Sequence, residues 1–147
     1  ANYLYLPATQ QVALLDLGSA GEYPAALVAS YRDACRAMLA GNDTALREAM
    51  FAIGYAHPDD PEAMIRNAAD IIRLACEPLG HPGPYDFAAS GLAVRARDLG
   101  FAVAFGKGLR SPPPATMFLH RKLIGTFLIC VKLRARVNVH AIIEKFL

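Results

Sequence analysis

The stretch that decides the fold occupies residues 112–136 and reads PPPATMFLHRKLIGTFLICVKLRAR. Its three leading prolines favour a stiff, extended connector. The residues that follow contain no further proline, so they predict the longest helix of the chain, from Ala115 to about Arg136. The run from Leu123 to Val131 is apolar almost all round, but it has only about half the length of a membrane span. It is therefore predicted to be a buried helix.

The chain upstream and downstream of this stretch is also mostly helical in its pattern. Apolar residues recur at helical spacing, and each helix is bounded by proline, glycine or a capping side chain. Asn42 or Asp43 is expected to cap the second helix, and the segment from Pro78 to Pro84 is predicted to be a loop. The predicted helices outside the long one cover about residues 24–40, 43–53, 61–75, 91–106 and 139–146.

The N-terminus has a different pattern, which predicts a short β-hairpin. Tyr3–Leu6 and Val12–Leu15 are rich in strand-forming residues, and Pro7–Gln11 supplies the turn between them. Two glycines then interrupt the pattern within Asp16–Gly21. The predicted fold is therefore mainly α: a short N-terminal β-hairpin followed by five to six helices, in a single domain over residues 1–147.

Charge is distributed unevenly along the 147 residues, of which 54% are hydrophobic and 19% charged. Residues 1–106 carry seven Lys or Arg against twelve Asp or Glu, whereas residues 107–147 carry eight against Glu144 alone. Such a basic end is either the solvated face of a helix or a contact for an anionic membrane surface. Nucleic acid is not expected as a partner, because basic and aromatic residues do not interleave. The cations of the proposed membrane contact are Lys107, Arg110, Lys132, Arg134 and Arg136.

Cysteine usage points to a reducing compartment. Cys35, Cys76 and Cys130 are odd in number and far apart in sequence, which fits neither a disulfide framework nor a zinc site. Each lies in an apolar, helix-like stretch, so buried reduced thiols are expected. The segment Tyr3–Pro7 lacks the basic and apolar regions of a secretory signal peptide, so the protein is expected to be intracellular and not secreted.

The two ends of the hairpin carry the side chains with the clearest chemistry. Asn2 precedes the first strand and Asp16 follows the second, and antiparallel pairing would make them neighbours. An amide oxygen beside a carboxylate, followed by the flexible Gly18, suits a magnesium ion that carries nucleotide phosphates. Protein kinases place a metal-binding Asn and Asp in this way. Spacing alone equally allows Asn2 to be a terminal polar residue and Asp16 to cap a turn.

Three segments resemble one known family. Residues 112–136 resemble the ending P-P-P, L-H-R-K, G-[ST]-F-L-[IL]-C and K-L-x-A-R of the UbiB-type atypical kinases, the aarF-domain (ADCK) group that supports ubiquinone biosynthesis. Residues 1–5 with 12–23 resemble that family's N-[FY]-[LF]-Y and V-A-L-L-D-F-G-A-T-R-E-Y. Residues 84–87 match its P-[FY]-D-F. The matches occur in the family's order and span nearly the whole chain.

The resemblance implies roles for the residues at the hairpin. Asn2 and Asp16 fall on the family's magnesium ligands, and Asp16 with Gly18 forms the turn that holds ATP phosphates. Leu17 stands where the family has Phe, which conserves apolar character. Gly21 stands where the family has Arg, so any contact made by that Arg is missing.

The resemblance also implies which part of the full-length protein each segment forms. Residues 1–23 would be the metal-binding hairpin and D-L-G turn, and residues 24–147 the helical lower part of a kinase-like C-lobe. The catalytic Asp is expected about five residues upstream of Asn2. The full-length protein is thus expected to use Mg²⁺ and ATP for phosphoryl transfer or hydrolysis, whereas this chain alone should be inactive and bind neither tightly. The alternative is a non-catalytic helical interaction module derived from that lobe.

Partners follow from the same reasoning. We expect contact with the upstream part of the kinase-like domain, self-association through an exposed face, and contact with a membrane or a quinone lipid. His120 and Arg121 either tie the long helix to the lobe, which is the favoured interpretation, or reach toward a lipid headgroup. The expected location is the cytoplasm or the periphery of an inner membrane, bacterial or mitochondrial.

Overall fold

The structure is a computed structural model that describes residues 3–15, 21–105 (backbone only for 100–105) and 110–147. Within these ranges a two-stranded hairpin is followed by six α-helices, which confirms the mainly α fold class. Two short strands, β3 and β4, and a terminal 3₁₀ turn at Glu144–Phe146 complete the description. The elements are β1 Tyr3–Leu6, β2 Gln11–Leu14, α1 Ala25–Ala40, α2 Asp43–Ile53, α3 Glu62–Gly80, β3 Tyr85–Asp86, α4 Leu92–Phe105, α5 Pro114–Lys132, β4 Arg136–Val137 and α6 Val139–Ile143.

The hairpin forms as predicted, with its second strand one residue earlier than expected. Tyr3 pairs with Leu14 and Leu6 with Gln11 in an antiparallel register. All described hairpin side chains are exposed except the half-buried Ala13, although most are apolar. A two-stranded hairpin is marginal without a packed face. The described part of the chain therefore leaves both faces of this hairpin uncovered.

Helices α1 and α2 end where their glycines predict. Gly41 and Gly54 adopt φ of 62° and 91°, the left-handed conformation that closes a helix C-terminus at little cost for glycine. Asn42 caps α2, because its side-chain oxygen accepts a hydrogen bond from the backbone N–H of Ala45 at 3.0 Å. Pro24 occupies the cap of α1, one position earlier than predicted.

The main core lies between α1, α2 and α3. It is built largely from alanines, which allow the three helices to approach closely, with a few larger side chains that fill the centre. Met50 is completely buried and Leu46 is 2% exposed. The buried members are Ala34, Ala37, Leu46, Ala49, Met50, Ile53, Ala56, Ile65, Ala68 and Ala69.

Helix α3 is longer than predicted. The sequence predicts a loop from Pro78 to Pro84, but α3 continues through Pro78 to Gly80. Pro78 has no N–H to donate to the carbonyl of Leu74, and the complete burial of its ring offsets part of that loss. His140 in α6 also satisfies this end of the helix, since its Nδ1 donates to the carbonyl of Leu79 at 2.8 Å.

Helix α5 is shorter than predicted. It ends at Lys132 and not near Arg136, because the chain turns at Arg134, which has a φ of 50°. The next residues form β4, which pairs antiparallel with β3. A second small core, made by Tyr85, Phe87 and Leu92, packs against this turn and the inner side of α5.

The apolar run of α5 is not buried, contrary to the sequence prediction. Phe127, Cys130 and Val131 pack against the second core, but Ile124 is 60% exposed and Leu128 is 53% exposed. The prediction is wrong because an apolar side chain is buried only where another element covers it. In the described part of the chain, one side of α5 has no such cover.

The three thiols are free and half-buried. Burial raises the pKa of Cys76 to about 12, and the neighbouring Cys35 adds to the effect. The pKa of Cys35 and of Cys130 is also raised by burial. The thiols therefore stay protonated at neutral pH, but they are only half-buried, whereas the sequence predicts buried thiols. Within the described ranges, no helix combines the length and the apolar character that crossing a membrane requires.

Candidate functional site

The predicted metal site at the hairpin lies outside the described residues. Asn2, Asp16 and Gly18 all belong to the segments that the structure does not describe. The described strands nearest to these residues are paired, and Tyr3 lies directly opposite Leu14. In the sequence, residue 2 comes directly before Tyr3 and residue 16 comes two positions after Leu14. Their proximity stays a prediction.

The environment of Gly21 bears on the difference from the family pattern at this position. Gly21 is exposed, and a Cβ added there would meet no atom within 4 Å. Its backbone does not need the left-handed conformation that favours glycine. Crowding of a Cβ therefore does not explain why glycine stands where the family has Arg.

The described part of the chain offers no second metal site to compete with the hairpin. No three His, Cys, Asp or Glu side chains come together within residues 3–15, 21–105 and 110–147. The candidate ligands remain the two residues at the hairpin ends.

His120 takes part in a polar contact that joins three helical elements. Its imidazole stacks on the Tyr55 ring, with centroids 5.5 Å apart and planes 29° apart. The Tyr55 hydroxyl is hydrogen-bonded to His120 Nε2 and to the Tyr31 hydroxyl. Tyr31 belongs to α1, Tyr55 directly follows the end of α2, and His120 belongs to α5. The contact therefore ties the long helix to the first two.

The groups in this chain of hydrogen bonds are all uncharged at pH 7. Burial lowers the pKa of His120, so its imidazole is neutral at pH 7. Burial raises the pKa of Tyr55 and of Tyr31, so both phenols keep their protons. The Tyr55 hydroxyl therefore donates to one of its two partners and accepts from the other, and the tautomer of His120 decides which.

Arg121 is placed differently from its neighbour. Its side chain is exposed and has no hydrogen-bond or ion-pair partner within the described ranges. The sequence pairs the two residues as either a tie or a lipid contact. The structure gives the tie to His120 alone and leaves Arg121 on the surface.

We expect His120 to make stability depend on pH. Its pKa in the folded state lies below the unfolded value of about 6.5, so the unfolded chain binds more protons near that pH. The free energy of unfolding should therefore fall as the pH drops below about 6.5. His120→Phe keeps the ring on Tyr55 but cannot titrate, so it should remove this component, and it should cost about 1 kcal/mol at pH 7 through the lost hydrogen bond.

Urea unfolding between pH 5 and 7.5 measures this effect as the difference between wild type and variant. His57→Gln is the matched control, because it removes a histidine whose side chain is 54% exposed. If the wild-type and H120F curves run parallel across this range, His120 does not carry the dependence.

The amino-acid sequence of the chain is similar to those of one group of known proteins, which are named as atypical kinases. The chain is 32% identical over 94% of its length to the mitochondrial atypical kinase COQ8 of Schizosaccharomyces pombe. It is 31% identical over 93% of its length to the mitochondrial atypical kinase COQ8B of Rattus norvegicus. It covers 23% and 26% of these two relatives, or about a quarter of their length. No family model matches the chain.

In the described ranges a hairpin is followed by six helices, and such relatives match nearly the whole length of the chain. The chain is therefore a helical portion of an atypical kinase-like protein. The chain belongs to the UbiB family, the aarF-domain or ADCK-type atypical kinases. Its extent is consistent with a C-terminal piece of that domain.

Proposed function

We propose that this chain is the C-terminal part of a UbiB-type kinase or ATPase that uses ATP and Mg²⁺ in the full-length protein. The supporting observation is its similarity to atypical kinases over 94% of the chain. The proposed reaction is phosphoryl transfer or hydrolysis, and the family resemblance supports a role in ubiquinone (isoprenoid-quinone) metabolism. The proposed location is the cytoplasm or the periphery of an inner membrane, and the two relatives above are named as mitochondrial.

Asn2 and Asp16 are the residues that we propose to hold the metal. Their amide and carboxylate oxygens are hard donors of the kind that Mg²⁺ prefers, and two adjacent strand ends lead into them. They would hold a Mg²⁺ ion that supplies positive charge beside the phosphates of ATP. Asp16 would supply the negative charge of the pair, and Gly18 would let the backbone approach the phosphates without a Cβ in the way.

The upstream part of the same kinase-like domain is the proposed partner of the hairpin. Tyr3 is 56% exposed and Val12 is 63% exposed, and both point to the same face of the two strands. A soluble protein rarely leaves such a surface open. The catalytic Asp is proposed to lie in that upstream part, together with a lysine that pairs with the phosphates and the pocket for the adenine.

A comparison of the full-length protein with the 147-residue chain tests this proposal. We expect the full-length protein to bind MgATP in isothermal titration, and the short chain to bind at least about 10-fold more weakly, because two metal ligands provide only part of the charge around the phosphates. A full-length protein that neither binds nor hydrolyses ATP would contradict the catalytic proposal. Equal affinity in the short chain would contradict the assignment of the missing groups.

A non-catalytic interaction module is the second candidate, and the uncovered hairpin favours it as well. Such a module would bury the hairpin against a second copy or another protein, without ATP chemistry. Sedimentation velocity over a wide concentration range tests self-association of the 147-residue chain. A larger species is expected at high concentration, and a strictly monomeric chain would count against it.

A further inference from the structure

The connector that leads into helix α5 is held at both of its ends. At one end, Arg110 donates to the Asp60 carboxylate twice, from Nη2 at 2.7 Å and from Nε at 3.1 Å. At the other end, Pro113 lies so close to the glycine that ends α2 that a Cβ added to this glycine would be 3.0 Å from the proline Cγ. Ser111 and Pro112 lie between these two contacts, and both are exposed. The connector therefore presents a short segment to solvent in a fixed place.

The backbone of this connector is extended. Pro113 has φ −56° and ψ 137°, which is the polyproline II conformation. Ser111 precedes a proline, and a residue in that position is restricted to the same extended region. Protein kinases bind the segment that they phosphorylate as an extended chain. Ser111 thus lies in a chain conformation that the cleft of a kinase accepts.

The Ser111 hydroxyl also differs from other hydroxyls of the described chain. Ser30 and Thr126 donate to the carbonyl four residues before them in their own helices. Ser90 and Thr116 donate to the carbonyl three residues before them. Ser111 makes no side-chain hydrogen bond within the described ranges. Its hydroxyl can therefore react without first giving up a bond to the backbone.

Proline follows Ser111 and no other Ser or Thr of the sequence. Proline has no N–H, so an enzyme that selects it at this position binds the ring in place of a backbone hydrogen bond. The exposed ring of Pro112 offers that contact. The class of kinase that fits this segment is therefore the proline-directed one.

We propose that Ser111 is the phosphorylation site of a proline-directed protein kinase, and that the phosphate draws Arg110 away from Asp60. In the reaction, the bond between the γ-phosphorus of ATP and its bridging oxygen breaks, and a bond from phosphorus to the Ser111 oxygen forms. ADP leaves, and the hydroxyl proton is released. The product carries about two negative charges directly beside Arg110.

The phosphate and the Asp60 carboxylate compete for one guanidinium. Arginine binds phosphate in the same bidentate way as carboxylate, and the phosphate carries the larger charge. Asp60 also accepts a hydrogen bond from the backbone N–H of His57 at 2.7 Å, so it keeps a partner when Arg110 leaves. Phosphorylation thus separates the connector from the loop between α2 and α3. By reciprocity, the intact pair of Arg110 and Asp60 opposes modification of Ser111.

Incubation of the full-length protein with MgATP and a purified mitogen-activated protein kinase, which selects Ser followed by Pro, tests the proposal. Mass spectrometry of the peptide that contains residues 111–116 measures the phosphate and its position. We expect phosphate on Ser111 and none on Thr116, which is completely buried. Ser111→Ala should remove the signal. Pro112→Ala should lower kcat/KM at least about 10-fold, because the contact with the ring is lost. Without the added kinase, Ser111 should stay unmodified.

Asp60→Asn tests the part played by Arg110. The variant removes the carboxylate that holds Arg110, so phosphorylation of Ser111 should be about threefold faster, the size of effect that a partly exposed ion pair commonly has. Asp59→Asn is the matched control, because this neighbouring side chain is 89% exposed and is not bonded to Arg110. Circular dichroism confirms that each variant folds. An unmodified Ser111, modification without the added kinase, equal rates for P112A and wild type, or equal rates for D60N and D59N would each overturn the proposal.

Discussion

Asp16→Asn is expected to reduce ATP hydrolysis by the full-length protein about 100-fold or more. The change replaces a carboxylate by a neutral amide at the proposed magnesium site and leaves the shape of the side chain unchanged. Phosphoryl transfer depends on charges positioned around the phosphates, and losing one such group commonly costs a factor of 100 to 1,000, roughly. Steady-state hydrolysis at saturating Mg²⁺ measures the loss. The melting temperature should stay close to wild type, because the amide has the same shape as the carboxylate.

Two further variants distinguish loss of a metal ligand from a general loss of negative charge. Asp59→Asn is the matched control, since its side chain is 89% exposed and distant in sequence from the hairpin, and it should leave hydrolysis unchanged. Asp16→Glu retains the charge but displaces the oxygens, so it should recover part of the activity at high Mg²⁺. If D16N hydrolyses and binds ATP like wild type, Asp16 is not a ligand of the metal.

Local signals predict the helical part of the fold well. Gly41 and Gly54 end α1 and α2 where the sequence places these ends, and Asn42 caps α2 through its side chain. These signals involve residues within one turn of each other, so a single sequence carries them. The hairpin can be predicted from the sequence equally well, because its turn is short and its strands are adjacent in the chain.

Features that depend on distant residues cannot be predicted in this way. Strands β3 and β4 have two residues each, and nothing near Tyr85 indicates that Arg136–Val137 will pair with it. The continuation of α3 through Pro78 depends on burial of that ring and on a donor from His140. Both are supplied by tertiary contacts.

The residues of the candidate site also differ in how far the sequence alone predicts them. Asn2 and Asp16 are assigned through the family resemblance and remain a proposal. The contact of His120 with Tyr55 joins residues 65 positions apart, and Tyr31 lies a further 24 positions upstream of Tyr55. The sequence favours a tie from His120 to the lobe but does not identify Tyr55 as its partner. The position of Tyr55 directly after the glycine that ends α2 is a usable signal, because residues there commonly pack back on the helix.

Met50→Ala is expected to lower the free energy of unfolding by about 3 kcal/mol. The side chain is completely inaccessible to solvent and fills the centre of the core between α1, α2 and α3. Truncation loses its transfer free energy and leaves a cavity that the rigid alanine packing around it cannot close, and such changes typically cost about 2 to 5 kcal/mol. For a domain of this size the melting temperature should fall by about 10 °C.

Met117→Ala makes the same chemical change at an exposed position and so isolates the effect of burial. Its side chain is 59% exposed on α5, and alanine is at least as good a helix former, so the free energy of unfolding should change by less than about 0.5 kcal/mol. Met50→Leu should retain most of the stability, because it conserves volume. Denaturant unfolding of the three variants measures the comparison. Equal losses in M50A and M117A would mean that the alanine-rich core does not carry the stability of this lobe, and that the Met117 side chain is buried in solution.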